Sequence, residues 1–587
     1  MKMGNSAASR FHPYLFRCRT GMWIKMAKKI AVGSEDFIAL RKTDSYYVDK
    51  TEMLLDLIEA NNSVSLFTRP RRFGKTLTMS MLESFFSIFK KEDALEAFSG
   101  LKIMSYSSFC QEWMNQYPTL FVSLKDVDSL SFKNAYERLK TVIADVCKKL
   151  SFLERSEKIN TYDLTLFKKL QNQTSTEADL QNSLKTIMRM MYAVFHKPVI
   201  LLIDEYDVPL AKAYSNGYYN EMLEMIRGFM SSSLKTNEYL KFAVVTGCLR
   251  IPKESIFTGV NNFSSYSVLD NRFSKYFGFT HDEVEKILAY YHLQDKVELI
   301  KNWYDGYIFG NSKVYCPWDV VNYLSALLYD KTSKPRNYWE NTSGNDAIKA
   351  FFDLGSVDVS DKFETLLNGG TIFENVTNAL SYEKVYESEQ NLWSILLMTG
   401  YITTVQQNGV INNPDAENEN QLELRIPNKE ISGIFQSAVV DHFKQSIDKA
   451  KLNSLMNALW NGDEKAASGF LSDMLWSTIS YMDYHEDYYH AFLTGLFVGR
   501  GGYSVRSNKE RGLGRPDVDL RDKRNRRAII IETKKSKRKQ DMEQDCLDAI
   551  RQIQEKEYAK HLDGYNQIFC YGISFYQKSA LVKKSNT

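Results

Sequence analysis

A loop at residues 69–76 has the composition of a phosphate-binding loop. It reads Arg-Pro-Arg-Arg-Phe-Gly-Lys-Thr and lies between an apolar, strand-like run and a helix-like run. A strand, a Gly-Lys-Thr loop and a helix in this order are typical of P-loop NTPases. With Gly74 at the turn, backbone N–H groups hold phosphate oxygens, Lys75 adds charge at the β- and γ-phosphates, and the Thr76 hydroxyl ligates Mg²⁺. The loop therefore predicts a site for ATP and Mg²⁺.

The first position of this loop departs from the generic pattern, because Arg69 stands where glycine usually allows a tight turn. The loop has two further arginines, Arg71 and Arg72, which bind either phosphate or solvent. The residue types do not decide between these roles. We include Arg72 among the expected nucleotide contacts.

Two carboxylates follow a second strand-like run, about 130 residues further along the chain. Residues 199–203 are continuously apolar, as in a buried parallel strand, and Asp204 and Glu205 come directly after them. In a nucleotide site, Asp204 would hold Mg²⁺, and Glu205 would orient and deprotonate the attacking water. The alternative is a core strand that ends in a solvated acidic turn. The Gly-Lys-Thr loop upstream favours the nucleotide site.

A third strand-like run, residues 242–246, ends at Thr246. A polar residue at this strand end is placed to contact the γ-phosphate or the attacking water, and Arg250 lies just beyond it. A plain strand end explains both residues equally well.

A second set of charged residues near the C-terminal end has the types needed for phosphodiester hydrolysis. Asp517 precedes a turn-like basic stretch, and a strand-like run then contains Glu532 and Lys534. Residues two apart in a strand share a face, so Glu532 and Lys534 point the same way, and hairpin pairing brings Asp517 alongside. Asp517 and Glu532 would bind Mg²⁺ or Mn²⁺, and Lys534 would orient water or stabilise the transition state. Asp519 is a weaker candidate ligand, and an ordinary charged hairpin is the alternative.

The surroundings of this hairpin fit a polyanionic substrate. Residues 500–540 contain 15 Lys or Arg and 5 Asp or Glu, an excess of 15 − 5 = 10, whereas the whole chain has a net charge of +3. Such a local excess indicates a nucleic-acid surface or a solvated face. Glu486 lies on an upstream helix-like stretch as a further acid, and Gln552 and Tyr558 lie on a downstream helical segment that would flank the site.

The overall composition is that of a soluble globular protein, with 44% hydrophobic and 25% charged residues. No apolar run approaches the ~20 residues that span a bilayer, and residues 1–25 do not form a continuous apolar signal segment. The 7 cysteines are scattered without a Cys-x-x-Cys pair. We therefore expect reduced thiols, a cytoplasmic location, no zinc site and no membrane partner.

Several of these motifs together resemble the AAA-ATPase-like family of predicted ATPases. The resemblance rests on Tyr46–Thr51, residues 69–76 and Leu202–Asp207, with further matches at 261–263, 276–279, 303–307 and 338–341. The family has the same Arg-Pro-Arg-Arg-Phe-Gly-Lys-Thr loop, so the arginine in the first position is a family trait. The resemblance covers roughly residues 27–345 and continues to the C-terminus. It implies a terminal PD-(D/E)XK nuclease-like domain, to which 511–517 and 571–578 are similar.

The expected architecture is α/β. Alternating strand-like and helical patterns predict a P-loop domain with a mostly parallel sheet. The resemblance implies an α/β PD-(D/E)XK nuclease-like domain at the C-terminal end. We expect four regions, namely an N-terminal extension (1–26), the P-loop domain (27–262), a mainly helical middle region (263–475) and the nuclease-like domain (476–587).

The leading interpretation of these features is an ATPase coupled to a metal-dependent nuclease, with DNA or RNA as partner. One alternative is an ATP-dependent switch or scaffold whose nuclease-like domain only binds nucleic acid or a partner. Another is a small-molecule phosphotransferase. ATPases of this kind often complete their site with an arginine from a neighbouring subunit, which makes a homo-oligomer possible.

Overall fold

The computed structural model describes residues 15–17, 23–25, 27–251, 256–257, 262–339, 362–363, 365–380, 382–384, 387–407, 409–413, 420–446, 449–478, 489, 492–493, 496–497, 504–506, 516–562 and 564–585. The chain divides into two compact units, residues 1–336 and 337–587. Within the described ranges, no helix has both the length and the apolar character needed to cross a membrane.

The first unit alternates strands and helices. Its elements are β1 (Leu15–Arg17), β2 (Trp23–Lys25), α1 (Phe37–Lys42), α2 (Met53–Ala60), β3 (Val64–Thr68), α3 (Lys75–Phe86), α4 (Lys91–Phe98), α5 (Ser107–Trp113), β4 (Thr119–Ser123), α6 (Phe132–Lys149), α7 (Thr161–Gln171), α8 (Glu177–Gln181), α9 (Ser183–Phe195), β5 (Val199–Asp204), α10 (Val208–Ser215), α11 (Tyr219–Leu234), β6 (Leu240–Gly247), β7 (Phe263–Tyr266), β8 (Phe279–Thr280), α12 (His281–Tyr290), α13 (Val297–Tyr304), β9 (Tyr307–Phe309), β10 (Ser312–Tyr315) and α14 (Pro317–Tyr329).

A five-stranded parallel sheet in the order β4-β5-β6-β3-β7 forms the centre of this unit. All residues of β3 and β5 are buried, as expected for strands covered by helices on both faces. The register pairs Ser123 with Asp204 and Thr68 with Gly247. The strands therefore end together at one edge of the sheet, the edge at which open α/β sheets bind ligands. This architecture confirms the predicted α/β fold with a parallel sheet.

A small antiparallel sheet in the order β8-β10-β9 follows in the same unit. The expected helical middle region, 263–475, is thus divided between the two units, and its described part contains strands as well as helices.

In the residues that the structure describes, the second unit contains three sheets and five α-helices. Its elements are β11 (Ile372–Asn375), α15 (Glu389–Thr399), β12 (Thr403–Thr404), β13 (Gln406–Gln407), β14 (Val410–Ile411), β15 (Gln421–Arg425), α16 (Lys429–Ser446), α17 (Lys449–Asn461), α18 (Glu464–Thr478), β16 (Ser504–Arg506), β17 (Val518–Asp522), β18 (Arg527–Lys535), α19 (Met542–Glu555), β19 (Gln567–Tyr576) and β20 (Ser579–Lys584).

A five-stranded mixed sheet in the order β16-β17-β18-β19-β20 forms the C-terminal part of the second unit. β17 and β18 form an antiparallel hairpin, β19 runs parallel to β18, and α19 is the crossover between them. Helix α19 approaches β19 closely, because a Cβ on Gly572 would overlap the carbonyl oxygen of Cys546. Glycine at this position therefore lets the helix lie directly against the sheet.

Candidate functional site

The loop before α3 has the backbone shape expected of a phosphate-binding loop. Gly74 caps α3 in the left-handed region with φ of 79°, and Arg72 has φ of 72°. A Cβ on Gly74 would meet no atom within 4 Å, so glycine is favoured there by its backbone conformation and not by lack of space. The loop connects the end of β3 directly to the first turn of α3, whose N–H groups favour anions.

The Lys75 side chain folds back over this loop. Its Nζ donates hydrogen bonds to the carbonyl oxygens of Arg69 (3.0 Å) and Pro70 (2.9 Å), and the Sγ of Cys248 lies 3.6 Å away. The residue is only 5% exposed. The ammonium group is thus held inside the loop, at the start of α3.

Asp204 joins three segments of the chain at the sheet edge. Its Oδ2 accepts a hydrogen bond of 2.8 Å from Thr76 Oγ1, and its Oδ1 accepts one from Thr246 Oγ1. These residues belong to β5, α3 and β6, and the carboxylate is completely buried. A carboxylate with adjacent hydroxyl oxygens is a hard donor set of the kind that Mg²⁺ takes.

Glu205 follows at the end of β5 in a left-handed conformation, with φ of 54°. Burial raises the pKa of its carboxyl group, and the positive charge of Lys75 opposes that rise. The neighbouring charges of Asp204 and Asp207 raise the pKa further. A carboxyl group with a raised pKa is a better proton acceptor near neutral pH, as a general base requires.

Tyr206 and Asp207, the two residues after Glu205, hold the loop that follows β6 in place. The sequence analysis assigned them no role. Asp207 Oδ2 accepts the N–H groups of Cys248 (3.0 Å) and Leu249 (2.9 Å). The Tyr206 hydroxyl donates to the Leu249 carbonyl at 2.8 Å and accepts from the Ile251 N–H at 3.0 Å. Their sequence signals are their place directly after Asp204-Glu205 and their inclusion in the Leu202–Asp207 match to the AAA-ATPase-like family. They fix the segment that begins at Cys248, two residues after Thr246.

The loop arginines take different places. The Arg72 guanidinium lies 4.6 Å from the ring centroid of Trp318, a cation–π contact, and its role at a nucleotide stays a prediction. Arg69 is completely buried, so the first-position arginine lies in the interior.

In the second unit, hairpin pairing brings the acids of the C-terminal motif together. Val518 pairs with Ile531, so Asp517 lies beside Glu532 where β17 begins, and the Asp517 N–H approaches Glu532 Oε2 at 3.3 Å. Asp517 Oδ2 accepts the Thr533 N–H (2.8 Å) and its hydroxyl (2.6 Å). By strand alternation, Lys534 shares the face of Glu532.

Helix α19 contributes to this site through Gln552, whose side-chain amide donates a hydrogen bond to Glu532 Oε1. Glu532 is only 4% exposed, so this contact orients a buried carboxylate. Tyr558, the other downstream candidate, is buried in a core cluster with Ala528 and Ile530.

Asp519 makes a two-pronged ion pair. Arg521 Nε lies 3.1 Å from its Oδ1, and Arg521 Nη2 lies 3.0 Å from its Oδ2. The pair is buried on both sides, so this carboxylate is engaged by the arginine two residues along the same strand. The further candidate acid, Glu486, lies outside the described residues.

The donor sets at both places fit a hard divalent cation. In the part of the chain that the structure describes, no group of three or more His, Cys, Asp or Glu side chains gathers as a metal site. Mg²⁺ usually keeps several waters and takes only one or two protein carboxylates. Asp204 with its hydroxyl neighbours, and the Asp517 and Glu532 pair, meet that requirement.

Comparisons with known proteins match two segments of the chain to family models. Residues 31–257 match the family model described as a predicted AAA-ATPase, and residues 484–585 match that of the PD-(D/E)XK nuclease superfamily. The chain carries an AAA-ATPase-like domain and a C-terminal PD-(D/E)XK domain. An uncharacterized protein in the vnfD 5′ region of Azotobacter chroococcum mcd 1 is 28% identical over 322 residues. The alignment covers 54% of this chain and 54% of that relative, so the chain spans about half the relative's length.

The two matched segments contain all residues predicted to do chemistry. The AAA-ATPase-like domain includes the loop before α3, the Asp204-Glu205 pair and Thr246, and the PD-(D/E)XK domain includes Asp517, Glu532 and Lys534. The catalytic and ligand roles of these residues stay predictions.

Proposed function

We propose that this protein binds and hydrolyses ATP in its AAA-ATPase-like domain and cleaves nucleic-acid phosphodiesters in its PD-(D/E)XK domain with a divalent metal. The observation that carries the proposal is of the same kind at both places, a buried carboxylate held by neighbouring side chains. Asp204 accepts hydrogen bonds from Thr76 and Thr246, and Glu532 accepts one from Gln552. We place the protein in the cytoplasm on the basis of its scattered cysteines.

At the nucleotide site, each residue has a distinct role. The loop N–H groups and Lys75 bind the phosphates, and Thr76 and Asp204 hold Mg²⁺. When bound, Mg²⁺ neutralises charge that develops on the phosphate oxygens. Glu205 accepts the proton of the attacking water, for which its raised pKa suits it. Thr246 donates a hydrogen bond that orients Asp204, and in this proposal it also senses the γ-phosphate.

At the hairpin site, Asp517 and Glu532 hold the metal, which when bound lowers the pKa of water and polarises the phosphate. Thr533 orients the Asp517 carboxylate and Gln552 orients the Glu532 carboxylate, each through a hydrogen bond. Lys534 stabilises negative charge on the phosphodiester in the transition state. The lysines and arginines that follow β18 attract the backbone of the substrate, which makes binding dependent on salt.

The experiment that tests this proposal measures both activities of the purified full chain. ATP turnover is followed without any acceptor, and labelled DNA and RNA are incubated with Mg²⁺ or Mn²⁺, with and without ATP. We expect phosphate release and metal-dependent cleavage, with cleavage lost in Lys534→Ala.

Two results would favour the alternatives. Tight nucleic-acid binding without cleavage under every metal condition would leave an ATP-dependent scaffold. ATP use that occurs only with an added small-molecule acceptor would indicate a phosphotransferase.

A further inference from the structure

The Arg69 side chain runs from the P-loop into the interior of the AAA-ATPase-like domain. Its Nη1 donates hydrogen bonds to the carbonyl oxygens of Thr68 (2.8 Å) and Tyr266 (2.7 Å). The guanidinium lies 5.0 Å from the ring centroid of Phe277 and 5.5 Å from that of Phe309. Two rings and two carbonyl groups therefore enclose the cation.

This arrangement is unfavourable for stability alone. Arg69 Nε and Nη2 are buried and have no hydrogen-bond partner among the described residues. Burial lowers the pKa of the guanidinium to about 9, and the negative charge of Asp270 opposes this fall only in part. A buried cation carries a desolvation cost that an apolar side chain of similar volume does not have. Some property other than stability must therefore account for an arginine here.

The backbone of Arg69 connects this buried cation to Lys75. The Arg69 N–H donates to the Gly247 carbonyl at 3.0 Å, and the Arg69 carbonyl accepts the Lys75 ammonium. The next carbonyl, that of Pro70, is the other acceptor for Lys75. Arg69 therefore provides both the buried guanidinium and one of the two carbonyl groups that bind Lys75. Pro70, the next residue, provides the other carbonyl group.

Phe73 gives the phosphate-binding loop a second contact with the aromatic rings near Arg69. Its ring lies 5.0 Å from that of Tyr307 and 4.9 Å from that of Phe309. Phe277 comes just before β8, and the other two rings belong to β9, so both anchors reach the small antiparallel sheet. The motifs at 276–279 and 303–307, which had no assigned role in the sequence, therefore supply rings that contact the P-loop.

We propose that Arg69 is a positioning residue that holds Lys75 where it can bind the phosphates of ATP. The rings of Phe277 and Phe309 form the seat of the Arg69 guanidinium and fix its position. The proposal rests on the ATP-binding function proposed above. It explains why arginine replaces glycine at the first position of the loop, where the backbone needs no left-handed conformation. In this proposal, the β8-β10-β9 sheet supports the nucleotide site indirectly, through its contacts with Arg69 and Phe73.

The test is a double-mutant cycle on nucleotide affinity. The affinity for a fluorescent ATP analogue with Mg²⁺ is measured for wild type, Arg69→Met, Lys75→Ala and the double variant. We expect R69M to weaken binding roughly tenfold or more in the wild-type background and to have little effect in the K75A background. The melting temperature of R69M should stay unchanged or rise.

The matched control replaces another arginine that also lies over an aromatic ring. Arg272 also makes a cation–π contact, 5.5 Å from the Phe273 centroid, but it is exposed. Arg272→Met should leave nucleotide affinity unchanged. Arg69→Lys, which keeps the charge and one donor group, should restore part of the affinity lost in R69M.

Three results would overturn the proposal. The first is a loss of affinity in R69M that is equally large in the K75A background. The second is a lower melting temperature with full affinity in the folded fraction. The third, if R69M does not fold, is full affinity in Phe309→Leu, which removes one ring of the seat. A wild-type protein that does not bind ATP would contradict the proposed function itself.

Discussion

The two candidate sites gather their carboxylates in different ways. Asp204 is held by Thr76 and Thr246, which lie 128 and 42 residues away in the chain and reach it through the ends of two strands and a helix. Asp517 and Glu532 lie 15 residues apart on one hairpin, and Gln552 comes from the next helix. The first site depends on the complete parallel sheet, whereas the second depends on one hairpin and its crossover.

This difference predicts how each site responds to substitution. The nucleotide site has its acid fully buried among hydroxyl groups, so removing a partner leaves an unsatisfied charge in the interior. At the hairpin site, Glu532 is buried as well, but Asp517 is only partly buried, so water can replace part of what is removed around Asp517. We therefore expect the largest effects among the nucleotide-site residues that contact the reacting groups.

The largest effect on ATP turnover is expected from Glu205→Gln. Loss of the general base should reduce ATP turnover by about 10³-fold and leave ATP binding intact. Because burial raises the Glu205 pKa, wild-type turnover should fall as the pH is lowered through that raised pKa, and E205Q should lack this acid limb. A pH profile of turnover measures both. Unchanged turnover in E205Q would refute the role, and Glu59→Gln, an exposed glutamate on α2, is the control.

Lys75→Ala should reduce ATP turnover by roughly 10²–10³-fold, because a positive charge at the phosphates is removed. In the wild-type protein, two loop carbonyls hold the Lys75 ammonium in the phosphate-binding loop, so its removal should lower nucleotide affinity as well. Nucleic-acid affinity of the same variant, measured without nucleotide, should match wild type. A parallel loss of nucleic-acid affinity would contradict the separation of the two sites.

Gln552→Ala tests the hairpin site and should weaken metal affinity by roughly 10–100-fold, because a group that orients a ligand is lost. The measurement is the Mg²⁺ or Mn²⁺ concentration that gives half-maximal cleavage. Gln544→Ala, an exposed glutamine on the same helix, is the matched control. An unchanged metal requirement in Q552A would show that the contact with Glu532 has no functional role.

The smallest effect is expected from Thr246→Val, which removes one hydroxyl from Asp204 at nearly constant shape. Loss of a hydrogen bond to a charged group should reduce ATP turnover about tenfold. Ser123→Ala removes a buried hydroxyl at the end of the neighbouring strand, one that has no hydrogen-bond partner among the described residues. Equal effects of T246V and S123A would argue against a specific role for the Thr246 contact.

The sequence predicted the frame of both sites because their signals are local or periodic. The apolar run before Asp204 predicts a buried strand, and parallel strands share an edge, so Thr76 and Asp204 meet. Strand alternation and hairpin pairing likewise place Asp517 beside Glu532.

The sequence did not predict contacts that depend on side-chain packing between distant segments. The seat of Arg69 combines rings from residues more than 200 positions away. Asp519 illustrates a different limit, since the alternation that favoured it as a ligand also places Arg521 beside it, and the ion pair engages the carboxylate. Neither outcome follows from residue types and spacing alone, because each requires the positions of particular atoms.

The most direct test of the central claim compares cleavage of labelled nucleic acid by wild type and Glu532→Ala, with Mg²⁺ and with a chelator. Glu555→Ala, at the exposed end of α19, is the control, and ATP turnover is measured on the same preparations. We predict metal-dependent cleavage by wild type and E555A, none by E532A, and equal ATP turnover in all three. Cleavage by E532A at the wild-type rate, or cleavage that persists in the chelator, would contradict the account.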